Sequence, residues 1–254
     1  MKGCIPKCLK TAWNGFLDLL FPRGAKCLLC GKEIDGGFVC DECESVLPYT
    51  SGGRRCIRCS RPLVAEENFC PSCSRGDKIY FDLVSAPLLY EGATITMVHR
   101  FKFGRRADYA DYFGALMSKE CANLPDFDVI VPVPSDKAKV LDRGYNQCDL
   151  LAKSLQSHLG KPICDVLITR ADMPDQVGLT GAERRRNKQG SIKVKVPNGI
   201  KGRAVLVVDD VLTTGSTMSE CARALKKAGA TAVYGITLAI TPTTVIDKTK
   251  KEVI

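Results

Sequence analysis

The sequence predicts an α/β fold in which helices cover a parallel β-sheet and a small cysteine-rich domain precedes that sheet. From Phe81 onward, short apolar segments alternate with amphipathic helical ones, and this alternation is typical of a parallel sheet with both faces covered. Ahead of Phe81, eight of the 14 cysteines form four CxxC pairs. That spacing is typical of metal-binding turns.

The predicted elements follow in chain order. The first 22 residues, with Trp13 and several leucines and phenylalanines, predict a short amphipathic helix. Then come a strand in FDLVSAPLLYE, one or two helices with a break near Gly104, a buried strand in FDVIVPVP and a helix ending at Gly160. The sheet is completed by strands in ICDVLITR, RAVLVVDD and TAVYGITLAI, with a helix over 216–228 between the last two.

Composition and charge exclude several classes of protein. The chain has 254 residues, 45% of them hydrophobic, as in ordinary globular proteins, and its apolar segments are too short to span a membrane. The apolar N-terminal stretch is interrupted by Asn14, Gly15 and Asp18, so we expect no signal peptide and a cytoplasmic location. The net charge of +9 favours anionic partners, either phosphorylated metabolites or nucleic acid.

The four CxxC pairs predict two zinc ribbons. A CxxC turn aims two thiolates at one point, and a tetrahedral zinc needs two such turns. Redox-active CxxC motifs usually occur once, at the start of a helix, so four copies favour structural Zn²⁺. We expect two sites in tandem, with cross-bracing (first pair with third, second with fourth) as the alternative. The eight ligands would be Cys27, Cys30, Cys40, Cys43, Cys56, Cys59, Cys70 and Cys73.

A candidate ligand site lies in VLVVDDVLTTGSTM, residues 205–218. A buried parallel strand runs into Asp209 and Asp210 and is followed by the hydroxyl-rich loop Thr213–Thr217. A strand, a loop of hydroxyls and glycine, and a helix start point free backbone N–H groups at an anion. Two carboxylates would repel a phosphate, so we expect them to hold hydroxyl groups or a cation that accompanies the phosphate.

Two basic segments are predicted to complete this site. Ligands of parallel sheets bind beyond the carboxyl ends of the strands, where PVPSDKAKVLDRGYNQ leaves its strand with Lys137, Lys139 and Arg143. The polar connection over 170–192 carries a basic cluster that includes Arg184. We expect it to be a cover that brings Arg184 onto bound phosphate, and a solvated, partly helical excursion is the alternative.

These segments together resemble a known family. VLVVDDVLTTGST is similar to the motif that binds phosphoribosyl pyrophosphate (PRPP) in type I phosphoribosyltransferases. The wider order resembles the ComF family of competence-associated proteins over nearly the whole chain. It consists of cysteine pairs after LLFP, followed by VHRFKFGRR, VPVPSDKAKVLDRGYNQ, DQVGLTGAERRRN and the PRPP motif.

The resemblance implies a role for each part of the site. Asp209 and Asp210 would be the catalytic carboxylates and would hold the ribose hydroxyls of PRPP, which binds with Mg²⁺. The loop from Pro134 to Arg143 would face the pyrophosphate, and residues 170–189 would form a flexible loop. The residues that would contact phosphate are Ser135, Lys139, Arg143, Arg184, Thr213, Thr214, Gly215, Ser216 and Thr217.

The resemblance also implies a type I phosphoribosyltransferase domain behind a double zinc ribbon. We expect the N-terminal helix at 1–22, tandem zinc ribbons at 23–78, the phosphoribosyltransferase-like domain at 79–245 and a basic tail at 246–254.

Two classes of function are compatible with these features. The first is phosphoribosyl transfer through an oxocarbenium-like transition state, in a protein that takes part in DNA uptake. No residue cluster indicates the acceptor, and His99 and His158 are expected to be ordinary residues. The alternative is a non-catalytic module of the competence machinery that binds PRPP or single-stranded DNA and contacts other competence proteins.

Overall fold

A computed structural model describes residues 26–63, 66–74, 78–169 and 190–242. The predicted N-terminal helix and the basic tail lie outside these residues. The chain divides into two compact units, one ending at Leu47 and one beginning at Pro48. The first ribbon forms the described part of the first unit, and the second ribbon belongs to the same unit as the sheet. No helix among the described residues is long and apolar enough to cross a membrane.

The two ribbons repeat one local design. In the first, the Cys27 N–H donates to the Lys32 carbonyl at 2.7 Å, and the Gly31 N–H donates to the Cys27 carbonyl at 2.9 Å. In the second, Cys56 and Arg61 make the equivalent 2.7 Å bond. In each ribbon the residue that follows the first CxxC pair has a positive φ, which is 80° at Gly31 and 59° at Ser60. A positive φ at this position is typical of a tight turn, and glycine adopts it without strain. The second CxxC pair of each ribbon includes the start of a short helix, α1 (Asp41–Ser45) in the first ribbon and α2 (Pro71–Ser74) in the second.

The main sheet is parallel throughout. Its strands lie in the order β1-β7-β6-β3, and β2 also pairs with β7. Their bounds are β1 Leu83–Ser85, β2 Leu88–Leu89, β3 Val129–Pro132, β6 Ala204–Leu212 and β7 Ala232–Ile240. The long central strands carry runs of buried aliphatic residues, as expected where helices cover both faces.

Five helices accompany the sheet among the described residues. They are α3 Gly92–Phe103, α4 Tyr109–Glu120, α5 Lys137–Arg143, α6 Gln147–Leu159 and α7 Ser216–Lys227. The predicted break near Gly104 is confirmed, because this glycine caps α3 before α4 begins. The predicted end of α6 at Gly160 is also confirmed, and Gly160 has the left-handed φ of 68° that this cap requires. Short 3₁₀ turns occur at Thr50–Gly52, Cys121–Asn123 and Pro197–Gly199.

Two predicted strands differ from the structure. The segment FDLVSAPLLYE is interrupted at Ala86 and Pro87, so that β1 and β2 pair with β7 as two short pieces. Proline has no N–H to donate to a ladder, which accounts for the interruption. The segment ICDVLITR forms β4 (Leu167–Thr169), which pairs antiparallel with β5 (Ile192–Val194) in a separate two-stranded sheet. These two strands border the 170–189 segment, which lies outside the described residues.

Candidate functional site

The hydroxyl-rich loop connects the carboxyl end of β6 to the start of α7. Gly215 has a φ of 76°, a left-handed conformation that glycine adopts without strain, and α7 begins at the next residue. The Thr214 and Ser216 hydroxyl oxygens are 2.7 Å apart, and the Ser216 N–H donates to the Thr214 hydroxyl at 3.3 Å. The N–H groups of the first helical turn have no partner within the helix, so this loop is suited to an anion. Thr217 lies in the same turn.

The two predicted carboxylates lie on β6 just before this loop. The Asp209 carboxylate accepts a hydrogen bond from the Asp210 N–H at 2.9 Å, and the Cys148 thiol lies 3.5 Å from the same oxygen. Burial, together with the charge of Asp210, raises the pKa of Asp209 to about 7. Burial and the Asp209 charge raise the pKa of the Cys148 thiol well above its usual value, so the thiol stays neutral and can donate to the carboxylate.

A lysine that the sequence analysis did not select reaches the aspartate pair. The Lys102 ammonium, near the end of α3, lies 2.9 Å from the Asp210 carboxylate, and both side chains are largely buried. This charge also opposes the rise in the pKa of Asp209. Because Lys102 precedes Asp209 by 107 positions along the chain, their proximity depends on tertiary structure. The sequence offered only the basic character of VHRFKFGRR.

The predicted loop from Pro134 to Arg143 follows β3, the strand next to β6, and begins at the same edge of the sheet. There the Ser135 hydroxyl donates to the Asn146 side-chain carbonyl at 2.9 Å, and that oxygen also accepts from the Cys148 N–H at the start of α6. The Arg143 guanidinium donates to the Gln147 side chain at 3.1 Å and lies 4.9 Å from the centre of the Phe103 ring. The Arg143 side chain therefore lies next to Phe103, the residue that follows Lys102 in the sequence.

Two predicted phosphate contacts cannot be placed as side chains. Lys139 belongs to the backbone of α5, but its side chain lies outside the described part of the structure, and Arg184 lies in the segment 170–189. Their roles stay predictions. The structure thus brings together, at one sheet edge, the aspartate pair, the hydroxyl-rich loop, Ser135 and Arg143, and adds Lys102.

The paired cysteines gather into two clusters of four. One contains Cys27, Cys30, Cys40 and Cys43, the other Cys56, Cys59, Cys70 and Cys73, and within each cluster the sulfur atoms lie within 4.8 Å of one another. A tetrahedral zinc with bonds of about 2.3 Å places its sulfur ligands about 3.8 Å apart. The sulfur atoms of Cys30 and Cys40 are 3.8 Å apart, and those of Cys59 and Cys70 are 3.5 Å apart. Both clusters fit Zn²⁺ in the tandem arrangement, and neither mixes pairs as cross-bracing requires.

Comparison with family models assigns both parts of the chain. Residues 16–74 match the double zinc ribbon domain, and residues 146–254 match the phosphoribosyl transferase domain. The fold of the main sheet and the cysteine-rich segment ahead of it are therefore those predicted from the sequence.

Several curated proteins are similar to this chain over most of their length. The DNA utilization protein YhgH of Salmonella typhi is 32% identical over 185 residues, which are 70% of this chain and 80% of that protein. Competence protein F of Haemophilus influenzae is 28% identical over 84% of this chain and 89% of its own. Competence protein ComFC of Streptococcus pneumoniae is 23% identical over 81% of this chain and 95% of its own. The chain therefore belongs to the ComF family, whose members join a double zinc ribbon to a phosphoribosyltransferase domain.

Proposed function

We propose that the protein binds PRPP together with Mg²⁺ at the edge of the main sheet and transfers its phosphoribosyl group to an acceptor. The observation that supports this most strongly is the placement of Asp209 and Asp210 immediately before a glycine-bearing hydroxyl loop that opens a helix. Carboxylates suit ribose hydroxyls, and the loop amides suit a phosphate. One site thus offers complementary groups to the two ends of a phosphorylated sugar.

The remaining groups would serve the pyrophosphate. Lys102, Ser135 and Arg143 lie on segments that meet at the same edge of the sheet, and two of them are cationic. When ribose hydroxyls bind Asp210, Lys102 would exchange its ion pair for the pyrophosphate oxygens. The oxygen atoms of Asp209 and Asp210 are ligands of the kind that Mg²⁺ prefers, and Mg²⁺ bound there would neutralise charge on the leaving pyrophosphate.

The residues of the chain would contribute mainly orientation and charge. Cleavage of the bond between the anomeric carbon and pyrophosphate develops positive charge on the ribose ring, as in glycoside cleavage. An ionised Asp209 or Asp210 would stabilise that charge. The segment that contains Arg184 would cover the bound phosphate and exclude water.

We further propose a role in DNA uptake and utilization in the cytoplasm. Support comes from the names of the similar proteins, a DNA utilization protein and two competence proteins. The zinc ribbons would hold two structural Zn²⁺ ions, because each set of four sulfur atoms is spaced for a tetrahedral ion. Single-stranded DNA and other competence proteins are the partners to be tested.

Pyrophosphate release tests catalysis directly. Wild-type protein, PRPP and Mg²⁺ are incubated with a panel of nucleobases and amide donors, and we expect release with at least one acceptor. The variant Asp209→Ala/Asp210→Ala, the matched control, should lower the rate by about a hundredfold or more. If no acceptor in the panel gives pyrophosphate release while PRPP still binds, transfer is refuted and the non-catalytic binding module is favoured.

A parallel experiment measures DNA affinity. Binding of single-stranded DNA is followed as a function of salt for the wild type and for Arg184→Ala/Arg185→Ala/Arg186→Ala. If these arginines bind phosphodiesters, the slope of log affinity against log salt should become shallower by about one for each arginine that pairs with a phosphate. If they serve PRPP alone, DNA binding should stay unchanged while PRPP binding falls.

A further inference from the structure

A buried arginine of the second ribbon reaches the hydroxyl-rich loop. Arg61, which is 6% exposed, lies between the two cysteine pairs of that ribbon. Its Nη2 atom donates to the backbone carbonyl of Thr213, the first residue of the hydroxyl-rich loop, and lies 3.5 Å from the Thr241 hydroxyl. The same hydroxyl lies 3.3 Å from the Thr213 carbonyl, so two donors converge on this oxygen.

Arg61 is also held by hydrogen bonds to both CxxC turns of the ribbon. Its backbone carbonyl accepts from the Cys56 N–H at 2.7 Å. Its Nη1 atom donates to the Ser72 hydroxyl at 3.1 Å, and Ser72 stands between Cys70 and Cys73. The position of the guanidinium therefore depends on both pairs of cysteines that the cluster brings together.

A zinc-filled cluster would also bear on the charge of Arg61. A buried guanidinium needs a negative partner or a full set of acceptors, and within the described ranges no carboxylate lies within salt-bridge distance of Arg61. Zn²⁺ with four thiolates carries a net charge of about −2. A filled second cluster would therefore compensate the buried cation, as an aspartate or glutamate would elsewhere.

Apolar packing also joins the second ribbon to the region of the loop, and a hydrogen bond from the segment that follows the ribbon holds the start of α7. Cys56, Cys59 and Cys70 belong to the same core cluster as Phe81, Leu212 and Met218, and the last two residues flank the loop along the chain. A Cβ atom on Gly215 would lie 3.6 Å from the Phe81 ring, so the aromatic side chain lines the back of the loop. The Tyr80 N–H donates to the Ser219 hydroxyl in the first turn of α7 at 3.1 Å.

The contact with Thr213 bears on anion binding through the geometry of the peptide bond. In a planar trans peptide, the carbonyl of one residue and the N–H of the next point in opposite directions. Holding the Thr213 carbonyl toward Arg61 therefore directs the Thr214 N–H away from the ribbon, toward the side of the loop on which an anion would bind. If the carbonyl were released, this peptide could rotate and the N–H could turn away.

We propose that the second zinc ribbon is a clamp that holds the hydroxyl-rich loop in its binding conformation, with Arg61 as the positioning residue. The clamp rests on the proposed function, because it presupposes that the loop binds the 5′-phosphate of PRPP. It assigns the second zinc site a role in ligand affinity in addition to stability. Loss of that metal would release Arg61 and weaken PRPP binding at a site that contains no zinc ligand.

The test compares Arg61→Met, Arg61→Lys and Arg58→Met with the wild type. Zinc per chain is measured by mass spectrometry, and PRPP affinity in excess Mg²⁺ by calorimetry. We expect Arg61→Met to keep two zinc ions and to bind PRPP about tenfold or more weakly, and Arg61→Lys to recover part of the loss. Arg58 is the matched control, because its guanidinium lies over the Phe69 ring in the same ribbon. Arg58→Met should bind like the wild type.

A second variant covers the case in which Arg61→Met fails to fold. Thr241→Val leaves Arg61 and the cysteines in place and removes the hydroxyl that lies beside the Thr213 carbonyl, so PRPP affinity should fall about threefold. Equal PRPP affinity in wild type, Arg61→Lys and Thr241→Val would overturn the clamp and leave the proposed function standing. Failure of the wild type itself to bind PRPP would overturn the proposed function and the clamp with it.

Discussion

At the scale of single residues, the surroundings of Asp209 change the pKa of its carboxyl group. Its pKa of about 7 is raised by burial and by the neighbouring charge of Asp210, while the nearby Lys102 lowers it. In water a free aspartate ionises near pH 3.9. Near neutral pH a part of the molecules therefore hold a neutral Asp209, and bound Mg²⁺ or ribose hydroxyls would favour the ionised form.

The first prediction concerns the pH dependence of stability. Because the pKa of Asp209 is higher in the folded than in the unfolded chain, its contribution to stability is full below about pH 4 and is lost as the pH rises through about 7. Asp209→Asn cannot ionise. Its melting temperature relative to wild type, without ligand, should therefore increase by a few degrees between about pH 5 and pH 8.

Lys102 supplies the control for that experiment. Since its ammonium opposes the rise in the pKa of Asp209, Lys102→Met should move the pH-dependent loss of stability to higher pH. A melting-temperature difference between Asp209→Asn and wild type that does not change with pH would show that Asp209 is ionised throughout the range.

Among the elements, the packing of α7 depends on the absence of a side chain at Gly235 in the neighbouring strand β7. A Cβ atom at Gly235 of β7 would lie 2.8 Å from the Met218 side chain and 2.8 Å from a methyl group of Val84. Met218 is in the first turn of α7, and Val84 is in β1. Gly235 thus allows α7 and β1 to pack closely against β7, next to the hydroxyl-rich loop.

The second prediction follows from this close packing. Gly235→Ala should lower the free energy of unfolding by about 1–3 kcal/mol, because Met218 or Val84 must leave its packed position. Denaturant titration measures this loss. The control Gly52→Ala, where an added Cβ has no neighbour within 4 Å, should change the value by less than about 0.5 kcal/mol. Equal effects of the two substitutions would contradict this account of the packing.

The elements also show which parts of the fold could be predicted from the sequence. The apolar runs of β6 and β7, and the cap at Gly160, have local signals in periodicity and turn chemistry, and these predictions are confirmed. The antiparallel pairing of β4 with β5 depends on partners distant in sequence. The break between β1 and β2 follows from Pro87, a local signal that the prediction of a single strand did not use. Apolar content alone does not specify which strand pairs with which.

The candidate site likewise contains residues that could be predicted from the sequence and residues that only the structure reveals. Asp209, Asp210 and the hydroxyl-rich loop form one continuous segment, so their order along the chain already indicated a phosphorylated ligand. Lys102 and Arg61 reach that segment from other parts of the chain. A single sequence offers no reason to choose them from 37 lysines and arginines.

At the scale of the whole molecule, the two ribbons share a design but belong to different compact units. The first lies in the unit that ends at Leu47, whereas the second lies in the unit that contains the sheet. Three of the four cysteines of the second cluster are buried, and Cys30 of the first is exposed. Removal of zinc from the second cluster should therefore affect the sheet as well as the ribbon.

The third prediction tests this difference. The purified protein should contain about two zinc ions per chain, and a strong chelator should lower the melting temperature of the sheet by several degrees. Cys27→Ser/Cys30→Ser, which affects only the first cluster, should leave that transition close to the wild-type value. Zinc-free protein with an unchanged transition, or disulfides between the paired cysteines, would contradict the zinc assignment.

The central claim is that the site at the edge of the sheet binds PRPP, and calorimetric titration of PRPP in the presence of Mg²⁺ tests it most directly. We expect saturable binding by the wild type with one PRPP per chain. Asp209→Ala/Asp210→Ala should weaken binding by about a hundredfold while keeping the fold and the zinc, because the ribose hydroxyls lose both acceptors. The absence of binding by the wild type, or wild-type affinity in the double variant, would contradict the account.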